Sequence, residues 1–344
     1  MLHNMPRVAL GSVLTPSDTN GILCRMKELD SPQPWTAERI PDQSGRLCVV
    51  TGATGGLGLA TTRALARRGA EVILAVRDEA KGHRTVASLR EQLPDARLEV
   101  RRLDLADLDS VRAFAERLHA DRTRLDVLVN NAGVMAPPRT LSAQGHELQL
   151  ACNHLGHFAL TGLLLDLLDA AAQGGGDARV VTVSSVNHRK ARIDFDDLHG
   201  ARAYSAMGAY NQSKLANAVF GHELHRRLAG AGSSVRSVLA HPGYTATGLQ
   251  LNGPIGIWRL VFGRIGNPLL AQSPERGALP QLYAATAEGV AGGDFIGPGG
   301  LAELRGAPKR VEIAPAAADP ATGRRLWELS EETTGVRFRL AAAA

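Results

Sequence analysis

Leu47-Cys48-Val49-Val50-Thr51-Gly52-Ala53-Thr54-Gly55-Gly56-Leu57-Gly58 is the stretch from which the rest of the chain is read. An apolar run ends in a glycine cluster, and an apolar-periodic segment starts at once. That order predicts a buried strand, a tight turn and a helix. Glycine lets the backbone approach a pyrophosphate closely, and a helix N-terminus offers N–H groups that no carbonyl has taken. A plain turn would carry the same glycines, so the flanking chain has to decide between the two.

Outward from this stretch the pattern is regular. Strands are predicted over 47–50, 71–76, 98–103, 125–129, 179–183 and 235–240, with a last short one over 293–296. Helices are predicted over 57–68, 79–93, 107–119, 147–171, 210–228 and 275–286. Gly69 ends the first helix and Pro94 stops the second. Strands alternating with helices of this length predict an α/β fold, a doubly wound parallel sheet of the Rossmann type covered on both faces. The regularity is continuous, so one domain is expected over 46–340, with a less regular substrate lobe or lid over 244–274. Residues 1–45 show no sustained period, and Pro6, Pro16, Pro32, Pro34 and Pro41 interrupt it, so an irregular N-terminal extension is expected. Met26 offers an alternative translation start within that extension.

Composition narrows the function classes. The 344 residues are 44% hydrophobic and 21% charged, enough apolar material for a large core. The net charge of +5 is spread among interspersed signs with no arginine stripe, which argues against nucleic-acid binding. Cys24, Cys48 and Cys152 are too few and too scattered for a disulfide framework or a thiolate metal cluster. A reducing compartment and a cytoplasmic location are the expectation. Apolar runs such as 158–168 carry Gly162 and Asp166 and are too short for a bilayer; 8–14 lacks the basic lead and cleavage site of a signal peptide. No membrane anchor is expected.

In a doubly wound sheet, ligands sit beyond the carboxyl ends of the strands. The unusual polar residues fall there: the glycine cluster, Arg77, Asp104, Asn130, Ser185 and Pro242. Tyr210 and Lys214, four apart on a predicted helix, share one face. A surface pair would look the same. Functionally, a nearby ammonium is expected to favour the phenolate and bring the tyrosine below its ordinary value of about 10, toward acid–base work. The lysine can also hold ribose hydroxyls. Ser185 ends the fifth strand and can polarise a carbonyl; Ser184 is its rival but should point the other way. Asn153 reads either as a solvent-facing helix amide or as a residue holding water and backbone near the lysine. Asn130 and Asn131 either make a simple turn or satisfy backbone groups around a cofactor cleft.

Arg77 bears on cofactor choice. An acid at the end of the second strand would grip the ribose diol of NAD, whereas arginine pairs with the 2′-phosphate of NADP. Asp78 follows and is read as a helix cap. Asp104 is a candidate acceptor for the adenine amino group. No metal is expected: His154 and His157, or His222 and His225, lack a convincing set of partners.

Taken together these residues resemble the short-chain dehydrogenase/reductase family. The likeness covers about 46–247, with a weaker tail to about 338. It rests on Thr51-Gly52-Ala53-Thr54-Gly55-Gly56-Leu57-Gly58, Asp104 with Leu105 behind it, and Asn130-Asn131-Ala132-Gly133. Asn153, Ser185, Tyr210-Asn211-Gln212-Ser213-Lys214 and Pro242-Gly243 with Thr245 and Thr247 complete it. The resemblance implies that Tyr210 is the acid/base, Ser185 orients the substrate, Lys214 binds the nicotinamide ribose and Asn153 completes a proton relay. It places Pro242 to Thr247 along the nicotinamide and its phosphate. Within the family, Asn153-His154-Leu155-Gly156-His157-Phe158 and the long gap from Ser185 to Tyr210 are most similar to the retinol dehydrogenase-like and WW-domain-oxidoreductase-like branch.

The expectation is an NADP-dependent oxidoreductase moving a hydride between nicotinamide and a carbonyl or alcohol. Reduction of a carbon–carbon double bond, as in protochlorophyllide reductases, and a non-catalytic NADP-binding protein are the alternatives. The apolar stretch 248–270 reads as a lid over an apolar pocket or as a subunit interface, so a homo-oligomer stays open.

Overall fold

The computed structural model, which describes residues 34–245 and 272–340, contains eight strands. These are β1 Leu47–Thr51, β2 Glu71–Val76, β3 Leu98–Arg102, β4 Val127–Asn130, β5 Arg179–Val183, β6 Arg236–Ala240, β7 Phe295–Pro298 and β8 Pro308–Arg310. They lie in one sheet in the order β3-β2-β1-β4-β5-β6-β7-β8. Seven strands are parallel; β8 returns antiparallel to β7, so the sheet is mixed rather than wholly parallel. The strand order reverses between β1 and β4, which opens a crevice at that switch point.

The longer helices are α1 Gly56–Arg67, α2 Glu79–Gln92, α3 Leu108–Asp121, α4 Gly156–Leu163, α5 Leu165–Gln173, α6 Ala206–Gly230, α7 Leu279–Thr286 and α8 Pro320–Thr334. Caps set several of their starts. Asp78 accepts from the Lys81 N–H at 2.9 Å, and Ser205 accepts from Gly208 at the head of α6. α8 opens on Asp319 with Pro320 behind it and closes on Gly335, which is left-handed at φ 64°.

The expected long helix over 147–171 is broken. A short turn, Leu148–Leu150, leads into a π-helical turn, Ala151–Leu155, in which the Gly156 N–H reaches back to the Ala151 carbonyl. α4 and α5 then bend at Leu164 by 50°. The widened turn lets Gly156 sit directly on the chain after β3: a Cβ there would lie 2.2 Å from the Leu105 carbonyl oxygen. No single helix among the described residues is long and apolar enough to cross a membrane; the bent pair passes by composition but is core.

The larger core packs α3, α4, α5, α6 and α8 over the sheet, with Phe114, Phe158, Phe220, Leu128 and Trp327 buried together. Phe158 meets Phe220 at 5.4 Å, Trp327 at 5.1 Å and Phe338 at 4.9 Å between ring centroids. Burial of each such ring contributes about 1.5–3 kcal/mol. The compact unit begins at Thr36, ahead of the first strand. Ile40 and Gln43 are buried in it, and the Gln43 N–H donates to the Arg68 carbonyl.

Candidate active site

Because β1 to β7 run parallel, the residues that follow them collect on one edge of the sheet. At the end of β1, Gly52 has φ +69° and Gly56 φ +52°, conformations that only glycine takes without strain. A Cβ on Gly58 would stand 2.4 Å from the Gly52 carbonyl oxygen, so glycine is required for the turn to fold onto α1. At Gly55 the corresponding space is open. Gly55 heads α1 without a side-chain cap, leaving the first N–H groups available. Thr54 and Leu57 flank this cradle, half-buried. A Cβ on Gly277 would meet both Thr245 Oγ1 and Leu57 Cδ2, so Thr245 sits beside the same turn. These residues fit a dinucleotide pyrophosphate.

Thr51 organises the floor of the cleft. Its hydroxyl oxygen accepts from the N–H groups of Asn131 and Ala132, each at 2.9 Å. His157 Nε2 lies 2.9 Å from the same oxygen, and His157 Nδ1 lies 2.9 Å from the Asn153 carbonyl. A carbonyl can only accept, so Nδ1 carries the proton and Nε2 accepts from the Thr51 hydroxyl. Burial holds this imidazole neutral, down to about 4. Asn131 Nδ2 donates to the Thr51 carbonyl at 2.8 Å, and its Oδ1 accepts from Gln281 of α7 at 3.2 Å.

Asn153 is fully buried in the π-helical turn, not solvent-facing. Its Oδ1 accepts from the Val134 N–H at 2.8 Å, and its Nδ2 donates to the Val134 carbonyl at 3.0 Å and to Ser213 Oγ at 2.9 Å. The side chain therefore pins the backbone after β4 to α6. A Cβ on Gly133 would lie 3.1 Å from Asn153 Oδ1 and 3.5 Å from Lys214 Nζ, so both reach the same spot.

Ser184 and Ser185 part as alternation requires. Ser184 points inward and donates to the Lys214 carbonyl at 2.7 Å. Ser185 is half-buried beside the Tyr210 phenol, where it favours the phenolate, and its Oγ accepts from the Asn187 N–H at 3.3 Å. Lys214 Nζ donates to the Val183 carbonyl at 3.2 Å and stands 5.9 Å from the Tyr210 ring centroid. The expected lowering of the phenol does not occur here. Burial pushes Tyr210 up to about 12, outweighing the opposite influence of neighbouring Ser185, and burial brings Lys214 down to about 8. Tyr210 is thus a protonated donor across the neutral range.

Arg77 is exposed at the end of β2 and, among the described residues, makes no hydrogen bond or ion pair. Asp78 is occupied as the α2 cap, as expected. Asp104 is half-buried; its Oδ1 accepts from the Ala106 N–H, so the carboxylate shapes its own turn beside the buried Leu105. Pro242 and Gly243 follow β6, with Gly243 at φ +67°. Thr247, and the expected lid over 248–270, lie outside the described residues.

His154 serves the core, its Nε2 bonding Ser330 at 2.9 Å, whereas His157 serves the floor of the site. Among the described residues no group of three or more His, Cys, Asp or Glu is placed to hold a metal. Sequence reading missed Thr51, His157, Ser213 and Gln149 as parts of the site. Gln149 is buried, accepts from the Ala136 N–H and donates to Tyr204 and the Ala206 carbonyl, tying the chain after β4 to the head of α6. The spacing of Asn153 and His157, one helical turn apart, was an available signal, and Thr51 and Ser213 stand inside the motifs quoted above.

Comparison with known proteins agrees with this geometry. The family model described as short chain dehydrogenase matches residues 46–253. The chain is 43% identical over 300 residues to polyprenol dehydrogenase of Mus musculus, covering 86% of each chain. It is 40% identical over 300 residues to retinol dehydrogenase 12 of Homo sapiens, covering 86% of this chain and 88% of that one. The crystal structure of an uncharacterized protein from Mycobacterium paratuberculosis superposes with a TM-score of 0.73 at 41% identity, over 90% of this chain and 100% of that one.

Proposed function

Since this chain belongs to the short-chain dehydrogenase/reductase family and is an NAD(P)-dependent oxidoreductase of it, we propose that it interconverts an apolar alcohol and its carbonyl compound with NADP(H). The observation that carries this reading is the buried Tyr210 phenol beside Ser185, with Lys214 next to it and reaching the same spot at Gly133 as Asn153.

The nicotinamide, when bound, supplies or takes the hydride at the carbinol carbon. Tyr210 Oη gives its proton to the carbonyl oxygen in reduction and takes it back in oxidation. Ser185 Oγ donates to the same oxygen and stabilises the charge that develops there. Lys214, fixed through one N–H to Val183, has its other donors for ribose hydroxyls. Asn153 positions the chain at Gly133 and Val134 against α6 through the bonds described above. The α1 N-terminus and the Gly55–Gly56 turn take the pyrophosphate. Asn131, Ala132 and Gly133 line the cleft, with Asp104 and Leu105 toward the adenine and Pro242, Gly243 and Thr245 toward the nicotinamide.

NADP is preferred over NAD in this reading because the guanidinium of Arg77 is free and the neighbouring acid is spent as a cap. The names of the polyprenol and retinol dehydrogenases point to an isoprenoid-like alcohol or aldehyde as the substrate class. Cofactor turnover by the purified protein with a panel of prenoid and aliphatic aldehydes, ketones and enones, run with NADPH and NADH, tests it. Preferred turnover of apolar aldehydes with NADPH is expected. Turnover of enones alone would replace carbonyl chemistry with double-bond reduction, and NADPH binding without turnover of any substrate would overturn the catalytic reading.

A further inference from the structure

The connection between β7 and β8 holds two successive residues, Ala302 at φ +49° and Glu303 at φ +56°, in the left-handed region although neither is glycine. That conformation is disfavoured for a residue with a Cβ and persists only where the surroundings impose it. The surroundings here are specific. Glu303 Oε2 accepts from His241 Nε2 at 2.8 Å, and Oε1 accepts from Arg189 at 2.9 Å. His241 is buried, and its Nδ1 accepts from the Gly243 N–H at 3.2 Å, which fixes Nε2–H as the donor toward Glu303. Arg189 is itself tied to the Glu312 carbonyl at 2.8 Å.

The next residue shows what this clamp holds. The Leu304 carbonyl accepts from the Tyr244 N–H at 2.9 Å and from Gln272 Nε2 at 3.0 Å. Gln272 N–H in turn donates to the Tyr244 carbonyl at 2.9 Å. A Cβ on Gly243 would lie 2.5 Å from the Leu304 carbonyl oxygen and 2.8 Å from that of Glu303. The loop therefore presses its backbone against Pro242-Gly243-Tyr244.

We propose that Glu303 is a positioning residue: through His241 and Arg189 it locks the β7–β8 loop onto Gly243 and Tyr244 and so fixes the backbone that lies along the nicotinamide. The placement of the nicotinamide rests on the function proposed above; the lock itself does not. Because His241 directly precedes Pro242, the loop grips the stretch from both sides, by the Glu303 carboxylate on the His241 side chain and by the Leu304 carbonyl on the Tyr244 N–H.

Two glycine substitutions separate the lock from mere backbone strain. Ala302→Gly and Glu303→Gly each relieve one left-handed residue, but only the second removes the carboxylate. Hydrogen exchange at the amides of Gly243 and Tyr244 reads the lock directly in the full chain. Glu303→Gly is expected to speed it at least about tenfold, Ala302→Gly to leave it unchanged, and Glu303→Gln, which keeps one acceptor, to fall between. In turnover with NADPH, Glu303→Gly is expected to lower kcat about tenfold or more with the NADPH Kd within about twofold, because geometry at the nicotinamide is loosened while the rest of the grip stays. Unchanged exchange in Glu303→Gly, or equal acceleration in Ala302→Gly, overturns the lock. Faster exchange with an unaltered kcat overturns its link to the nicotinamide. A wild-type chain that binds no NADPH sinks the functional reading instead, and the exchange contrast still decides the lock.

Discussion

His157 Nε2 stands 2.9 Å from Thr51 Oγ1, and this bond joins the end of β1, where the glycine turn begins, to the π-helical turn that carries Asn153. Thr51 also serves two backbone N–H groups. Thr51→Val keeps the shape and strips the hydroxyl, leaving two donors and an imidazole nitrogen without it. A loss of about 2–4 kcal/mol is expected in urea unfolding, since each buried group left unpaired costs about 1–3 kcal/mol. Thr51→Ser should recover most of that loss, and a Thr51→Val protein as stable as wild type would show that the network contributes nothing.

Tyr210→Phe removes the proton donor and little else from a site that is already packed. NADPH binding should stay within about twofold while kcat falls by roughly two to four powers of ten. Because burial holds the phenol at about 12, the reduction rate in the wild type should show no loss from phenol ionisation between pH 6 and about 10. Steady-state rates across that range, together with the variant's fluorescence titration by NADPH, check both statements.

Arg77→Ala should weaken NADPH at least about tenfold and leave NADH nearly unchanged, because a charge-assisted bond to a phosphate is lost and nothing replaces it. Binding titrations of both cofactors decide it, and equal losses would remove Arg77 from the 2′-phosphate.

Burial holds His154 neutral down to about 3, and His157 and His241 down to about 4. All three lie below the ordinary value of about 6.5, so the unfolded chain binds protons that the folded chain refuses. The stability they allow is complete above about pH 6.5 and is lost as pH falls from there toward 4, by roughly 2 kcal/mol per histidine at pH 5. Urea midpoints should be flat from pH 8 to 7 and drop steeply by pH 5. His154→Leu, which replaces a core ring bonded to Ser330, should shallow that drop.

Most of the strands were legible because they are short apolar runs closed by a polar or glycine residue. The site residues at strand ends were legible for the same reason: parallel strands deliver them to one edge. The broken segment after Glu147 was not. Its apolar residues keep a helical period through the π-helical turn, and only the Gly156 contact with Leu105 requires the extra residue. The pairing of Tyr210 with Lys214 was legible as spacing but not as electrostatics, because the spacing carries no measure of burial, and burial decides the sign. β8 escaped because Pro308-Lys309-Arg310 is too short and too polar to show an alternating pattern. Ala302 and Glu303 could not be foreseen at all, since neither residue type favours the backbone it adopts.

The ring of Trp327 closes on Phe158 and Phe220, and Phe338 closes behind it. About a hundred residues separate Phe220 from Trp327. At a synthesis rate of about 5–20 residues per second, a nascent chain has made its aromatic floor on the order of ten seconds before its lid of tryptophan exists. Through that interval the apolar face of α4 and α6 has no native cover. The last described helix thus supplies, late in synthesis, the cover for an apolar face laid down much earlier.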